Sequence, residues 1–95
     1  MTVRFEWDRK KAASNLRRHG VSFEEAISVF TNPLAWIFDD EDEAVDERRE
    51  IIVGHSMRNR LLVICFSGRE AAVRVISARK ATRNERKDYE EGVPA

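Results

Sequence analysis

Three basic side chains lie close together near the C-terminus, at Arg79, Lys80 and Arg83. Thr82 and Glu85 have the Thr-x-x-Glu spacing of a capping box, which predicts that a helix begins beside these cations. Arginine holds phosphate through paired hydrogen bonds, and free N–H groups at a helix N-terminus also attract phosphate. The segment is therefore a candidate phosphate site. Alternatively, the arginines pair with carboxylates of this chain or of a partner.

Proton transfer is a second chemistry that these residue types could perform. Like charges disfavour the charged form of a lysine, so Arg79 and Arg83 would help Lys80 to act as a general base. His19 ends a predicted helix, where it either stabilises the helix dipole as a cation or serves as a general acid facing the basic cluster. His55 lies in a predicted strand, and we assign it no catalytic role.

Cysteine and histidine usage argues against a metal centre or a disulfide framework. Cys65 is the single cysteine, and it lies in the apolar run 61–66, where we expect an inert core thiol. His19 and His55 are too far apart in the sequence for metal-ligand spacing. We therefore expect no cofactor and a reducing, cytoplasmic setting.

Length and composition predict one soluble domain over residues 1–95. The hydrophobic fraction is 42% and the charged fraction 36%, too apolar for a disordered chain and too polar for a membrane protein. The run 61–66 is the longest apolar stretch and is too short to span a bilayer. The N-terminal residues show no secretory signal pattern.

The net charge of zero conceals blocks of opposite sign. Residues 1–20 carry a balance of +4, residues 21–48 of −8, residues 49–83 of +6 and residues 84–95 of −2. The first and third blocks could form a basic stripe that attracts phosphate, or the charges could simply coat a solvated surface. Seven acids in residues 39–47 predict a loop, because they repel one another.

Local signals predict two helices in the first third of the chain. Asp8 can cap a helix that ends near His19, and Gly20 supplies its left-handed stop. We expect Ala12 and Leu16 to form the apolar face of this helix. A second helix begins at a capping box made by Ser22 and Glu25, and it ends before Asn32-Pro33.

The remaining signals are strands and one final helix. The predicted strands are Arg4–Trp7, Leu34–Phe38, Glu50–Ser56, Arg60–Ser67 and Ala72–Ser77. Short turns make the last three an antiparallel meander. The helix capped by Thr82 stops at Gly92, and we expect its Tyr89 to pack on the sheet through Val75 or Phe66. The order β-α-α-β-β-β-β-α predicts an α+β fold, with the helices packed on one face of a twisted, mainly antiparallel sheet.

Several of these segments, in this order, resemble BrnT-type toxins of bacterial toxin–antitoxin pairs. The resemblance covers the chain from Phe5 to about Glu91. It rests on Phe5-Glu6-Trp7-Asp8, Lys11, Asn15-Leu16, His19-Gly20-Val21-Ser22-Phe23-Glu24-Glu25-Ala26, Glu47-Arg48, Gly54, Leu61-Leu62-Val63, Ile76-Ser77-Ala78-Arg79-Lys80-Ala81-Thr82-Arg83, Glu85-Arg86 and Tyr89-Glu90.

The resemblance implies a RelE-like toxin that acts as a metal-independent endoribonuclease and inhibits translation. It also implies a BrnA-like antitoxin as partner, which neutralises the toxin and binds DNA through its own ribbon-helix-helix part. The chain departs from its relatives in the acidic loop. Where they often carry a histidine-serine pair, this chain has Asp42-Glu43, so a histidine from this loop cannot act as the base.

Within this resemblance, Lys80, Arg83, Arg79 and His19 are the candidate catalytic residues. RNA cleavage without metal needs a base for the ribose 2′-hydroxyl, a cation for the phosphorane and an acid for the leaving 5′-oxygen. A second set of cations lies on the meander and is expected to contact RNA: Arg58, Arg60 and Arg74. The alternative function is a non-catalytic binding module whose basic face docks a protein partner.

Overall fold

A computed structural model describes residues 3–40, 48–69 and 72–92 of the chain. The elements are β1 (Arg4–Glu6), α1 (Arg9–His19), α2 (Phe23–Ile27), a 3-10 turn (Ser28–Thr31), β2 (Trp36–Asp39), β3 (Glu50–His55), β4 (Leu61–Arg69), β5 (Ala72–Lys80) and α3 (Arg83–Glu90). None of the helices among these residues is long and apolar enough to cross a lipid bilayer.

The five strands form one sheet in the spatial order β1-β5-β4-β3-β2. Strands β2 to β5 pair antiparallel, which confirms the predicted meander, and β1 pairs parallel to β5 at one edge. Because β1 and β2 lie at opposite edges, the chain between them must cross the sheet. Helices α1 and α2 and the 3-10 turn make this crossing.

The main core lies between this crossing segment and one face of the sheet. Its buried residues are Val21, Phe23, Ala26, Val29, Ile52, Leu62, Ile64, Phe66, Val75 and Ala78. Val21 and Ala26 flank the start of α2 and are fully buried, so the predicted hydrophobic staple lies inside the core. Trp7 packs edge-to-face on Phe23 with ring centroids 5.8 Å apart, which gives this tryptophan a structural role.

The prediction that all helices pack on one face of the sheet is wrong. Helix α3 covers the opposite face, where Val53, Leu61 and Val63 form a second core. Partly buried residues pack against it, including Phe38, Ile51, Ala81 and Tyr89. Because strand residues alternate between faces, the apolar meander supplies side chains to both cores. The architecture is therefore α+β, with one sheet that is covered by helices on both faces.

Helix α1 has the predicted ends but presents a different residue to the protein interior. The Asp8 carboxylate accepts from the Lys10 and Lys11 N–H groups at 2.8 and 3.1 Å, and Gly20 has a φ of 70°. Leu16 is 51% exposed, whereas Asn15 is buried. The prediction that Leu16 faces the core is therefore wrong.

Asn15 is buried because its side chain replaces a missing strand neighbour. The pairing of β1 with β5 ends at Arg74, so the rest of this edge of β5 lies free of β1. The Asn15 amide donates to the Ala78 carbonyl at 2.8 Å, and its oxygen accepts from the Ala78 N–H at 3.1 Å. It also donates to the Val21 carbonyl at 3.0 Å, which joins the end of α1 to the start of α2.

Strand boundaries differ from the prediction by one to three residues, and hydrogen bonds explain two of these differences. Strand β2 begins at Trp36 rather than Leu34, because the Asn32 side chain accepts from the Leu34 N–H at 2.9 Å and holds a turn. Strand β5 continues to Lys80 rather than ending at Ser77, because its last three residues pair with β4. The acidic loop was expected over residues 39–47, but Asp39 is the last residue of β2. Residues 41–47, including Asp42 and Glu43, lie outside the described part of the chain.

Candidate functional site

Lys80 and Arg83 lie at the junction of β5 and α3, where the sequence predicted the phosphate site. Both side chains are exposed, and neither forms an ion pair within the described part of the chain. The Thr82 hydroxyl caps α3 by accepting from the Glu85 N–H at 3.1 Å, and the Glu85 carboxylate accepts from the Thr82 N–H at 2.8 Å. The predicted capping box is confirmed, and it fixes Lys80 and Arg83 on either side of the cap.

Arg79 differs from Lys80 and Arg83 because its guanidinium forms an ion pair with an acid of this chain. Its two terminal nitrogens donate to the two Glu85 carboxylate oxygens at 2.7 and 2.8 Å. These bonds, more than the backbone bond from Thr82, lower the pKa of Glu85 to about 2, although partial burial opposes the shift. The same pair raises the pKa of Arg79. This geometry favours the alternative in which Arg79 pairs within the chain.

Arg79 and Lys80 also point to opposite faces of the sheet. In the register of β5 with β4, Arg79 lies opposite Val63 of the second core, and Lys80 lies opposite Leu62 of the main core. Residues that are adjacent in a strand alternate between faces, so closeness in the sequence does not place these two cations side by side. Arg79 and Lys80 therefore lie on different surfaces of the sheet.

Replacing Glu85 by glutamine should lower the free energy of unfolding at pH 7 by about 1 kcal/mol, a typical cost of losing a helix cap. The folded pKa of about 2 lies below the ordinary glutamate pKa of 4.5. The wild-type carboxylate therefore stabilises the fold above pH 4.5 and loses that contribution as the pH falls toward 2. The difference between the two proteins should shrink over this interval in urea unfolding curves. A difference between the two proteins that stays constant from pH 7 to pH 2 would contradict this role of Glu85.

Arg60, a predicted RNA contact, is held by a buried glutamate. Glu25 is 2% exposed, and both of its carboxylate oxygens accept from Arg60, one from Nε at 2.9 Å and the other from Nη2. Arg60 Nη2 also donates to the Gly20 carbonyl at 3.0 Å. The capping box predicted for Ser22 and Glu25 is therefore only half correct: Ser22 accepts from the Glu25 N–H at 3.0 Å, but the Glu25 side chain turns inward.

The same glutamate organises the turn between β3 and β4. The Ser56 hydroxyl donates to one Glu25 carboxylate oxygen at 2.7 Å. A guanidinium nitrogen of Arg58 lies 3.8 Å from the other Glu25 carboxylate oxygen. The bonds from Arg60 and then Ser56 lower the pKa of Glu25 against the opposing effect of burial. Arg58 keeps 66% of its side chain exposed, so this turn presents one accessible cation.

Arg74, the third predicted RNA contact, lies beside an acid of the edge strand. It faces Glu6 in the parallel pairing of β1 with β5, with 3.6 Å between its guanidinium and the carboxylate. About a third of its side chain is exposed. Val75 is buried in the main core and Val73 packs against it, so Arg74 projects to the other side of β5 as the alternation predicts.

Tyr89 packs on the sheet, but on the face opposite to the one predicted from Val75 and Phe66. Its ring lies 4.9 Å from that of Trp36 and 5.8 Å from that of His55, measured between centroids. Its hydroxyl donates to the Leu34 carbonyl at 2.8 Å. Tyr89 therefore anchors α3 to the outer strands.

Two clefts lie between a helix and the sheet. The α3 cleft, about 150 Å³ in volume, lies between α3 and the sheet and is mostly apolar. It is lined by Trp36, Phe38, Ile51, Val53, Val63, Arg79, Glu85, Asp88 and Tyr89. The α1 cleft, about 360 Å³, lies between α1 and the end of β5. It is lined by Lys11, Ser14, Asn15, Arg18, His19, Arg49, Ile76 and Ser77.

The α1 cleft contains His19 but neither Lys80 nor Arg83. His19 is the last residue of α1 and is half-buried, so its expected position at the helix end is confirmed. Sequence reasoning did not name Lys11, Arg18 or Arg49 as site residues. The helical spacing of Lys11 and Arg18 was the available signal, because residues seven apart lie on one helix face.

Cys65 is half-buried on the second face rather than deep in the main core. It pairs in register with Ser77, and its Sγ lies 3.8 Å from an Asp40 carboxylate oxygen. The described residues contain no group of three histidine, cysteine or acidic side chains placed to hold a metal ion.

The chain was compared with protein families and with solved structures. The family model described as "Ribonuclease toxin, BrnT, of type II toxin-antitoxin system" matches residues 7–85. The crystal structure of the Brucella abortus ribonuclease toxin BrnT is similar to this chain with a TM-score of 0.66 and 24% identity. That match covers 86% of this chain and 100% of the other. No curated protein matches the chain.

The structural similarity and the family match support different conclusions about this chain. At 24% identity the crystal structure bears on the fold alone, and that fold is the mixed α+β arrangement described above. The family match carries the assignment, because it extends from Trp7 at the end of the first strand to Glu85 in the last helix. The chain therefore belongs to the BrnT family of ribonuclease toxins of type II toxin–antitoxin systems.

Proposed function

We propose that this chain is a RelE-like endoribonuclease that cleaves RNA without a metal ion and thereby inhibits translation. One observation carries the proposal: Lys80 and Arg83 are exposed cations on either side of a helix cap, without an ion-pair partner in the described residues. Cations at such a position are available to a phosphodiester, because free backbone N–H groups at the helix N-terminus attract the same anion.

The proposed reaction uses the ribose 2′-hydroxyl of RNA as the nucleophile. Lys80 takes its proton as a general base, and the 2′-oxygen attacks the adjacent phosphorus. Arg83 stabilises the negative charge that develops on the phosphorane oxygens. The bond from phosphorus to the 5′-oxygen then breaks, and an acid protonates that oxygen. The products are a 2′,3′-cyclic phosphate and a 5′-hydroxyl, so atoms and charge balance without another reactant.

The remaining predicted site residues take supporting roles in this proposal. Arg79 is a positioning residue, because its bonds to Glu85 stabilise the capped start of α3. Arg60 likewise positions the turn that carries Arg58, since both interact with Glu25. Arg58 and Arg74 retain exposed guanidinium surface for RNA phosphates.

A BrnA-like antitoxin with a ribbon-helix-helix part is the proposed neutralising partner. The family is named for type II toxin–antitoxin systems, in which such a partner is expected. Neutralisation acts most simply by covering the surface that binds RNA, and DNA binding by the pair would come from the antitoxin. We propose that both proteins act in the cytoplasm.

Expression of this chain alone in a bacterium tests the proposal. Growth should stop while cellular RNA is shortened, and co-expression of the cognate antitoxin should restore growth. In vitro, excess antitoxin should abolish RNA binding by the purified chain. Continued growth despite accumulation of folded chain would contradict toxicity, and a ternary complex containing intact RNA would contradict occlusion.

The alternative, a binding module without catalysis, is favoured by a different observation. The α3 cleft is lined mainly by apolar side chains, including Trp36 and Tyr89, with the Arg79–Glu85 pair and Asp88 among its lining residues. Aromatic groups beside a charged rim are typical of protein-binding surfaces. Stable antitoxin binding by a chain that leaves RNA intact would support this alternative.

A further inference from the structure

We propose that the α1 cleft binds the phosphate backbone of single-stranded RNA, at a place separate from Lys80 and Arg83. The inference extends the proposed function, since it names a second contact surface for the same substrate. Three cations and a histidine line the cleft, at Lys11, Arg18, Arg49 and His19. No acidic residue is among the described residues that line it.

The helix places two of these cations in line along one wall. Lys11 and Arg18 are seven residues apart, so they share a face of α1 and lie about 10 Å apart along its axis. That distance is about three times the axial length per phosphate of one strand in a duplex, about 3.4 Å. A backbone lying along α1 would therefore meet the two cations through different phosphates. Both side chains are exposed, and neither forms an ion pair within the described ranges.

The opposite wall comes from the sheet and is shaped by an irregularity in β5. The register of β4 with β5 shifts between Cys65 and Phe66, which leaves Ile76 as an extra residue in β5. A bulge of this kind re-aims side chains, and here two consecutive residues, Ile76 and Ser77, line the same cleft. Arg49, just before β3, lies on this side as well.

Asn15 holds the two walls together. Its side chain lies at the base of the cleft and forms the two hydrogen bonds to Ala78 that tie α1 to the edge of β5. The distance between the cations of α1 and the hydroxyl of Ser77 is therefore set by a buried contact rather than by flexible side chains alone. A preorganised array of donors binds an extended anion with a smaller loss of entropy.

The chain offers a matched control on the same helix. Lys11→Ala/Arg18→Ala removes two charges that line the cleft, and Lys10→Ala/Arg17→Ala removes two neighbouring charges that do not. All four side chains are exposed, and alanine favours the helix. Arg17 and Arg18 both lie in the last turn of α1, so each double variant loses one favourable interaction with the helix dipole. Equal melting temperatures would confirm that both variants fold.

Binding is measured by fluorescence anisotropy with a short single-stranded RNA that carries 2′-O-methyl groups and cannot be cut. We expect the cleft variant to bind at least about tenfold more weakly, and equally so for RNAs of different sequence, because backbone contacts carry no base information. The slope of log affinity against log salt should fall in magnitude by about 1.4, which is 0.7 for each of two lost phosphate contacts. The control variant should bind like the wild type.

Three outcomes would overturn the inference. Equal weakening of both variants would mean that RNA responds to a diffuse positive field, and unchanged binding by both would mean that RNA lies elsewhere. If the cleft variant instead lost affinity for the antitoxin and kept its affinity for RNA, the cleft would be a protein-binding site. Wild-type chain that binds RNA in this cleft but leaves unmodified RNA intact contradicts the endoribonuclease proposal alone.

Discussion

Replacing Arg83 by alanine should slow single-turnover RNA cleavage by roughly 10²–10³, the usual cost of removing one preorganised donor from a developing anion. Arg83 is exposed at the first position of α3, so its loss removes charge stabilisation without opening the core. Lys80→Ala should also slow cleavage and flatten the dependence of the cleavage rate on pH. The reason is that the rate of a reaction with a general base follows the fraction of that base that is unprotonated. Rates measured from acid to alkaline pH, alongside growth of cells expressing each variant, check both effects.

Lys87→Ala is the matched control for these two variants. Lys87 is an exposed cation on the same helix, with no ion pair among the described residues, and it lies one turn away from the junction. Its removal should leave the cleavage rate within about twofold, an effect well below 1 kcal/mol. If Lys80→Ala and Arg83→Ala stay fully toxic while His19→Ala or His55→Ala abolishes toxicity, a histidine mechanism replaces the one proposed here.

Replacing Glu25 by alanine should have the largest effect on stability, with a loss of about 3 kcal/mol in the free energy of unfolding. The substitution removes a buried carboxylate and leaves Arg60 without its charged partner, although Arg60 is 25% exposed and can reach water. The Ser56 hydroxyl loses its bond at the same time. Urea unfolding measures the loss. Glu24→Ala, the exposed neighbour in the same helix, should change stability by less than about 0.5 kcal/mol.

A double-mutant cycle separates the ion pair from the cost of an unpaired charge. Arg60→Ala added to Glu25→Ala should destabilise less than the sum of the two single variants, because neither then leaves a buried charge behind. The pair lowers the pKa of Glu25, so its contribution should be full above the ordinary carboxyl range and disappear as the pH falls below it. Additive losses would show that Glu25 and Arg60 do not stabilise the fold together.

Features determined by a few neighbouring residues were predictable from the sequence. The Asp8, Ser22 and Thr82 caps and the Gly20 stop follow from local hydrogen bonds and backbone geometry, and each occurs where predicted. The paired strands of the meander were predictable for a similar reason, since short turns join neighbouring strands. These elements place the junction of β5 and α3 correctly along the chain.

Features that depend on distant partners were not predictable in the same way. Glu25 has the spacing of a capping-box residue, but Arg60, 35 residues further on, draws its carboxylate inward. Strand alternation shows which residues share a face without showing which helix covers it, so α3 and Tyr89 were assigned to the wrong side. Asn15 is buried because a strand edge 63 residues away lacks a neighbour, which no local pattern reveals.

The candidate site illustrates the same limit. Arg79, Lys80 and Arg83 are close in sequence, yet the alternation of β5 and the carboxylate of Glu85 give them different surroundings. The α1 cleft combines residues from α1, from β5 and from the segment before β3, and only the tertiary fold brings these together.

The chemistry of the RNA ends tests the central claim most directly. Purified chain should be incubated with single-stranded RNA in excess EDTA, and the fragments should be analysed by mass spectrometry. Cleavage by the 2′-hydroxyl predicts fragments with 2′,3′-cyclic phosphate and 5′-hydroxyl ends, and no cleavage where a 2′-deoxynucleotide replaces the attacking ribose. Intact RNA, cleavage only when a divalent metal is restored, or fragments with 5′-phosphate ends would contradict the proposed function.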